Sequence, residues 1–367
     1  MSRWRRDLLE LISPGRVRRK AIPPLEAGLR PNTRLDEATV LAALHPMGLD
    51  DVAMLEGQVV VSTGGFLSWL VEDGLQTFVE LPGTAGALAS RGDTAGRAGS
   101  IVVAVEGHGL VEVTKDGSVS VVSQDPRLTS CVTAITALDD GSLLVCVGST
   151  TTDDWARNLM AENLATGLLL RVVDGRVEEL DRNLAWPSGV CADGDSGFLL
   201  ATSVGHRIER RSLADPGRRG KPLLDNLPGY PGRITPASQP GEWWVAMPYL
   251  RNRATELILE HDDVRSEMVS RTEPESWLVP CLAIENLYRT PLQVGAIRVL
   301  GEIKPWAPTR TYGLAFRVNA EGRVLESAHS RADGRMHGVT AVLEREPGSV
   351  VVACRGAGNV LMLGADH

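Results

Sequence analysis

No two of the five cysteines stand at metal-ligand spacing, no GxSxG elbow is present, and no stretch approaches the ~18 consecutive apolar residues that a membrane-spanning helix needs. The first absence argues against a structural zinc site. The odd number and wide spacing of Cys131, Cys146, Cys191, Cys281 and Cys354 argue equally against a disulfide-stapled secreted scaffold. They sit in apolar runs such as LLVCVG and VVVAC, as reduced core thiols do. The basic opening MSRWRRDLLELISPGRVRRK is interrupted by acids and a proline, and lacks the apolar core of a secretory leader. These features predict no transmembrane segment and a reducing, cytoplasmic setting. The opening itself reads as a terminal helix packed on the domain, or as a basic amphipathic helix touching a membrane surface. An excess of basic charge is also missing: 38 Lys and Arg face 46 Asp and Glu, for a net charge of -8, so nucleic acid is not an expected partner.

What the chain does have is a repeat. A short apolar strand, a turn rich in Asp, Gly and Pro, and a second apolar strand recur as GLDDVAMLEGQVVVSTGG, AGSIVVAVEGHGLVEV, CVTAITALDDGSLLVCVGS, WPSGVCADGDSGFLLATS, YPGRITPASQPGEWWVAMP and MHGVTAVLEREPGSVVVAC. Most copies start about 40 to 55 residues apart, enough for a four-stranded blade and its connections. The spacing predicts an all-β fold, a six-bladed β-propeller over residues 37–367, preceded by an N-terminal extension over 1–36. The gap between the fifth and sixth copies is longer. Its pattern at Leu257, Ile258, Val264, Met268 and Val269 predicts an amphipathic helix broken near Pro274, within a helical lid inserted into blade five over about 251–308. A ring must close, because open strand edges pair indiscriminately, and EATVLAAL near residue 40 can supply the outer strand of the last blade.

From about residue 37 to 364 the chain resembles the strictosidine synthase-like propellers, relatives of the gluconolactonase/regucalcin proteins and the paraoxonases. The resemblance is carried by LAWPSGVCADGDSGFLLATSVGHRIERRSL, LPGYPGRITPASQPGEWWVAMP and GRVLESAHSRADGRMHGVTAVLE. In the hydrolytic relatives a calcium ion sits in the central tunnel on a Glu and several Asn or Asp side chains at the inner-strand ends. The matching positions here are Asp50 for the Glu, Thr133 and Ser188 for two Asn, and Gly232 and Arg233 for an Asp-Asn pair. Calcium needs about six to eight oxygen ligands, and a guanidinium brings a permanent positive charge instead. The resemblance therefore implies a degenerate site with no calcium cofactor, in which Arg233 requires an anion, Asp50 being the candidate within the fold. The catalytic Glu of the true strictosidine synthases falls on Val339, which disfavours that condensation.

The chemistry left open is a metal-independent lactone or ester hydrolase, with His337 as general base and Ser188 as nucleophile. Arg233, Asp50, Thr133, Trp306 and Tyr312 are then candidate ligand contacts, the last two at the tunnel mouth. The alternative is a non-catalytic propeller binding a small anionic ligand or a protein partner. Structural readings stand beside each residue: a hydrogen-bonded His337 at a blade entry, an Arg233–Asp50 pair filling a vestigial site, an inert Ser188, and Thr133 as a tunnel-lining hydroxyl.

Overall fold

The computed structural model describes residues 21–92, 99–161, 163–284, 298–299, 302–303 and 310–364. Among these, six antiparallel sheets of four strands each follow one another along the chain. Their innermost strands are Val52–Leu55, Ala85–Arg91, Val132–Ala137, Pro187–Asp193, Ile234–Pro236 and Val339–Glu346. The predicted six-bladed propeller is what the chain forms. The N-terminal strand Thr39–Ala43 pairs antiparallel with the C-terminal strand Asn359–Leu363, Thr39 opposite Met362 and Ala43 opposite Asn359. The ring is thus closed by the stretch EATVLAAL, and blade six draws on both ends of the chain.

The core is divided among the blade interfaces. One cluster joins Leu55 and Val60 of blade one to Ile101 and Val103 of blade two. Another joins Trp244 and Ala315 of blade five to Val342 and Val352 of blade six. Strands in the middle of a blade are covered on both faces, which is why Ser100–Val105, Leu143–Val147 and Ser349–Cys354 read as apolar runs instead of alternating. Cys146 and Cys354 are buried in two of these strands and Cys191 in the inner strand Pro187–Asp193, and all five cysteines are free thiols.

Above one end of the ring a further cluster gathers Trp155, Leu159, Tyr230, Ile258, Leu259 and Trp277. Two helices, Arg253–Glu260 and Asp262–Arg271, contribute to it. The helical pattern is therefore interrupted at His261, whose extended ψ of 96° separates the two, and not only at Pro274. Asp262 and Asp263 then open the second helix, where acidic side chains oppose the positive end of the helix dipole. Ile258 faces inward, whereas Leu257, Val264 and Val269 are exposed. Residues 1–20 of the extension and 285–297 and 304–309 of the predicted lid lie outside the described residues. No described helix is long and apolar enough to cross a membrane.

At the axis the inner strands come very close. A Cβ built on Gly189 of blade four would lie 2.2 Å from the carbonyl oxygen of Gly232, beside Arg233 of blade five. Backbone cannot yield as a flexible side chain does, so Gly189→Ala should destabilise the protein by about 1–3 kcal/mol and wedge blades four and five apart. Chemical denaturation checks this; wild-type stability in the variant would mean that the blades separate freely.

Candidate functional site

The six inner strands open onto a chamber of about 670 Å³. Each strand, or the residues leading into it, supplies at least one lining residue: Asp50, Gly86, Thr133, Ser188, Arg233 and Thr340 in ring order. Four of the seven residues expected to form the site, Asp50, Thr133, Ser188 and Arg233, therefore meet at the axis.

Arg233 crosses the floor of this chamber, and every nitrogen of its guanidinium is engaged. Nη2 donates to Asp50 Oδ2 at 2.5 Å, Nη1 to the Asp50 carbonyl at 2.9 Å, and Nε to the Thr133 carbonyl at 3.0 Å. Nε also lies 3.2 Å from Asp51 Oδ2. The second oxygen of Asp50 takes Nη1 of Arg355, from the hairpin turn of blade six. Burial by itself pushes the Asp50 carboxyl up, but the two guanidinium groups outweigh it and hold the group below the usual carboxylate range.

Asp51 has a different task. Its Oδ1 accepts the Val52 N–H and its Oδ2 the Leu88 N–H, both at 2.8 Å. The pairing register of blade two slips between Ala85 and Leu88, and Asp51 reaches across from blade one to this bulge. Burial pushes its carboxyl up to about 6, against the pull of Arg233 and with the repulsion of Asp50. Hydroxyl groups complete the ring. Thr133 donates to the Pro187 carbonyl at 2.6 Å, Ser188 to the Pro231 carbonyl at 2.6 Å, and Thr340 to the Asp50 carbonyl at 2.7 Å.

The structure does not assemble the expected catalytic pair. Ser188 gives its proton to a backbone carbonyl, so no base shares it. His337 is absent from the chamber lining. Its Nε2 faces the Arg331 carbonyl at 2.7 Å, which can only accept, so Nε2 carries a proton. Nδ1 lies 2.8 Å from Thr311 Oγ1 and is left to accept. Burial pushes this imidazole below its ordinary pKa, and both nitrogens are occupied by groups outside the chamber lining. Tyr312 is likewise not at the mouth. It is packed in the interface of blades four and five, with its hydroxyl against His329 Nδ1 at 3.1 Å. Trp306 lies outside the described residues. Sequence reasoning missed Asp51, the neighbour of Asp50 in GLDD, and Arg355, in an RGAG turn that reads as an ordinary hairpin. It also missed the aromatic wall of Trp155, Trp186 and Tyr249, of which Trp155 stacks on Tyr249 at 3.9 Å.

No protein-family model matches the chain. Over 256 residues, 62% of its length, it is 28% identical to the adipocyte plasma membrane-associated protein of Homo sapiens, and 27% identical to that of Bos taurus. Over that stretch the chain is similar to these proteins. The match spans about three fifths of the relatives' own length, 60% and 61% respectively. Among solved structures, a calcium-binding regucalcin from Agrobacterium tumefaciens superposes with a TM-score of 0.56 at 12% identity, over 89% of this chain and 93% of that one. A gluconolactonase from Xanthomonas campestris gives 0.55 at 10% identity over 89% of each. At such identities the likeness establishes the shared propeller architecture.

Removing Arg233 would leave two carboxylates facing each other with one partner between them, Arg355 on Asp50. Arg233→Ala should cost about 3–5 kcal/mol near neutral pH, the penalty for orphaning buried charge. The loss should shrink as pH falls toward about 4 and the carboxylates take up protons. Urea unfolding at both pH values measures it, and a loss independent of pH would contradict the ion-pair account.

In the wild type the two acids pull in opposite directions. The folded pKa of Asp51 lies above its unfolded value, so its share of stability is fully present below the unfolded pKa and is lost as pH rises through about 6. The share from Asp50 is present above the unfolded pKa and is lost as pH falls through its depressed one. Carbon-detected NMR titration should find Asp51 with a midpoint of about 6 and Asp50 below the ordinary range. Matching midpoints would be inconsistent with the geometry.

Proposed function

We propose that this propeller takes a small molecule into its axial chamber and does so without calcium. The observation that carries the reading is Arg233. Its guanidinium lies across the floor, bonded to the carboxylates and carbonyls of blades one and three, so the oxygen atoms that would face a metal already face a fixed cation. The remaining donors of the ring are hydroxyls spent on backbone carbonyls. This donor set does not fit a hard divalent ion, which requires several carboxylate or carbonyl oxygens turned toward one point. A chamber of about 670 Å³ lies in the size range of small-molecule sites, and its wall is largely aromatic and aliphatic. The buried or half-buried free thiols support a reducing, cytoplasmic setting for this activity.

A second reading is favoured by Arg355, whose side chain is one-third exposed at the chamber. A lactone or ester hydrolase, as the shared architecture with a gluconolactonase suggests, would need such a group to steady the oxyanion formed when water adds to the carbonyl. The engagement of Ser188 and His337 with backbone and Thr311 weighs against that chemistry in the form the sequence suggested, so binding is the primary reading.

Calorimetric titration of calcium into chelator-treated, dialysed protein should give no heat of binding. A screen of lactones and aryl esters in chelator should give ligand binding, monitored by the fluorescence of Trp155 and Trp186, with turnover marking the second reading. Stoichiometric calcium uptake would overturn the metal-free site.

A further inference from the structure

Two arginines meet Asp50, and they are used very differently. Arg233 is 12% exposed and spends all three nitrogens on the floor of the chamber. Arg355 is 33% exposed and spends only Nη1, on Asp50. Its Nε is buried without a hydrogen-bond partner, and its Nη2 has none among the described residues. Nε and Nη2 together form one edge of the guanidinium fork, the edge whose two parallel N–H groups match the two oxygens of a carboxylate. A buried N–H left without an acceptor costs about 1–3 kcal/mol, which an arriving acceptor would relieve.

The surroundings narrow what that acceptor can be. Tyr249 also lines the chamber, and its hydroxyl makes no hydrogen bond among the described residues. Arg355 lines the same chamber. Trp155, Trp186, Leu128 and Leu282 provide apolar and aromatic wall around them. Exposed Glu106 and Asp153 line the same chamber, a placement that repels ligands with several negative charges. A phosphate-rich ligand meets those acids, whereas a single carboxylate on an apolar body avoids them and reaches the fork.

We propose that Arg355 is the anchor for a small monocarboxylate with an apolar or aromatic body, its carboxylate on the Nε–Nη2 edge beside the Tyr249 hydroxyl. This rests on the reading of the chamber as a small-molecule site and supplies the ligand class. Under the hydrolytic reading the same anchor holds the acid released from a lactone or ester, because hydrolysis turns the neutral acyl group into a carboxylate.

The test uses phenylacetate and its neutral isostere phenylacetamide, titrated calorimetrically into the full chain in chelator. Phenylacetate should bind the wild type at least about tenfold more tightly than the amide, the factor expected for one charge-assisted hydrogen-bonded pair. Arg355→Gln should remove that preference. Arg355→Lys, which retains the charge opposite Asp50 but loses the fork, should keep only part of it. Tyr249→Phe, which leaves the Asp50 cluster intact, should weaken phenylacetate and not the amide, so the proposal can be judged even if the Arg355 variants fail to fold. Equal binding of acid and amide would overturn the carboxylate anchor and leave the chamber reading standing. Binding of neither would overturn both, and an undiminished preference in folded Arg355→Gln would assign the anchor elsewhere.

Discussion

Six strands that converge on one axis bring their first backbone groups and side chains into a space too narrow for water to satisfy all of them, and the fold depends on how those groups find partners. Here the answer is a linked set of side-chain bonds that runs from blade to blade. Asp51 reaches from blade one to the Leu88 amide of blade two, Thr133 from blade three to the Pro187 carbonyl of blade four, and Ser188 from blade four to the carbonyl of Pro231. Arg233 then ties blade five to blades one and three, and Thr340 ties blade six back to Asp50. Buried polar groups are costly singly and strong when every member is satisfied, so such a set both stiffens the axis and fixes the order of the blades around it.

The same set of bonds limits the chemistry. A side chain that satisfies a neighbour's backbone is no longer free to deliver or accept a proton. Ser188 and Thr133 are polar residues at the bottom of a chamber, yet both have given their hydrogens to carbonyls. His337 is engaged at both nitrogens by groups outside the chamber. On the proposed reading a ligand is met instead by Arg355 and Tyr249, which line the chamber together with Trp155 and Trp186.

Much of the fold was legible because propeller blades are local. Each antiparallel blade pairs neighbouring segments, so WPSGVCADGDSGFLLATS folds on itself as Pro187–Asp193 against Gly197–Thr202 without help from elsewhere. The closing strand was also legible, since a ring needs a partner for Asn359–Leu363 and EATVLAAL has the length and apolarity to serve. The placement of Arg233 and Asp50 in one site was implied by the resemblance to the hydrolytic propellers. The helical segment was harder. Two helices lie there, but Leu257 and Val269, which look like core in a pattern, are exposed, because packing in this segment is set by the underlying Trp155 and Tyr230 cluster.

The sequence by itself determined the six repeats and the closure of the ring, because both are carried by residue type and spacing along the chain; that Arg233 stands at an axial position was implied by the resemblance to known propellers. Only the tertiary structure decided which partners that guanidinium takes and which cation remains available. Arg233 and Asp50 stand 183 residues apart, and Arg355 and Asp50 stand 305 apart. Strand alternation states which face a residue occupies, but it does not state how far a turn from the last blade leans over the floor of the first. That depends on the twist and tilt accumulated around the whole ring, and it is what left the Nε–Nη2 edge of Arg355 without a partner while every nitrogen of Arg233 was used.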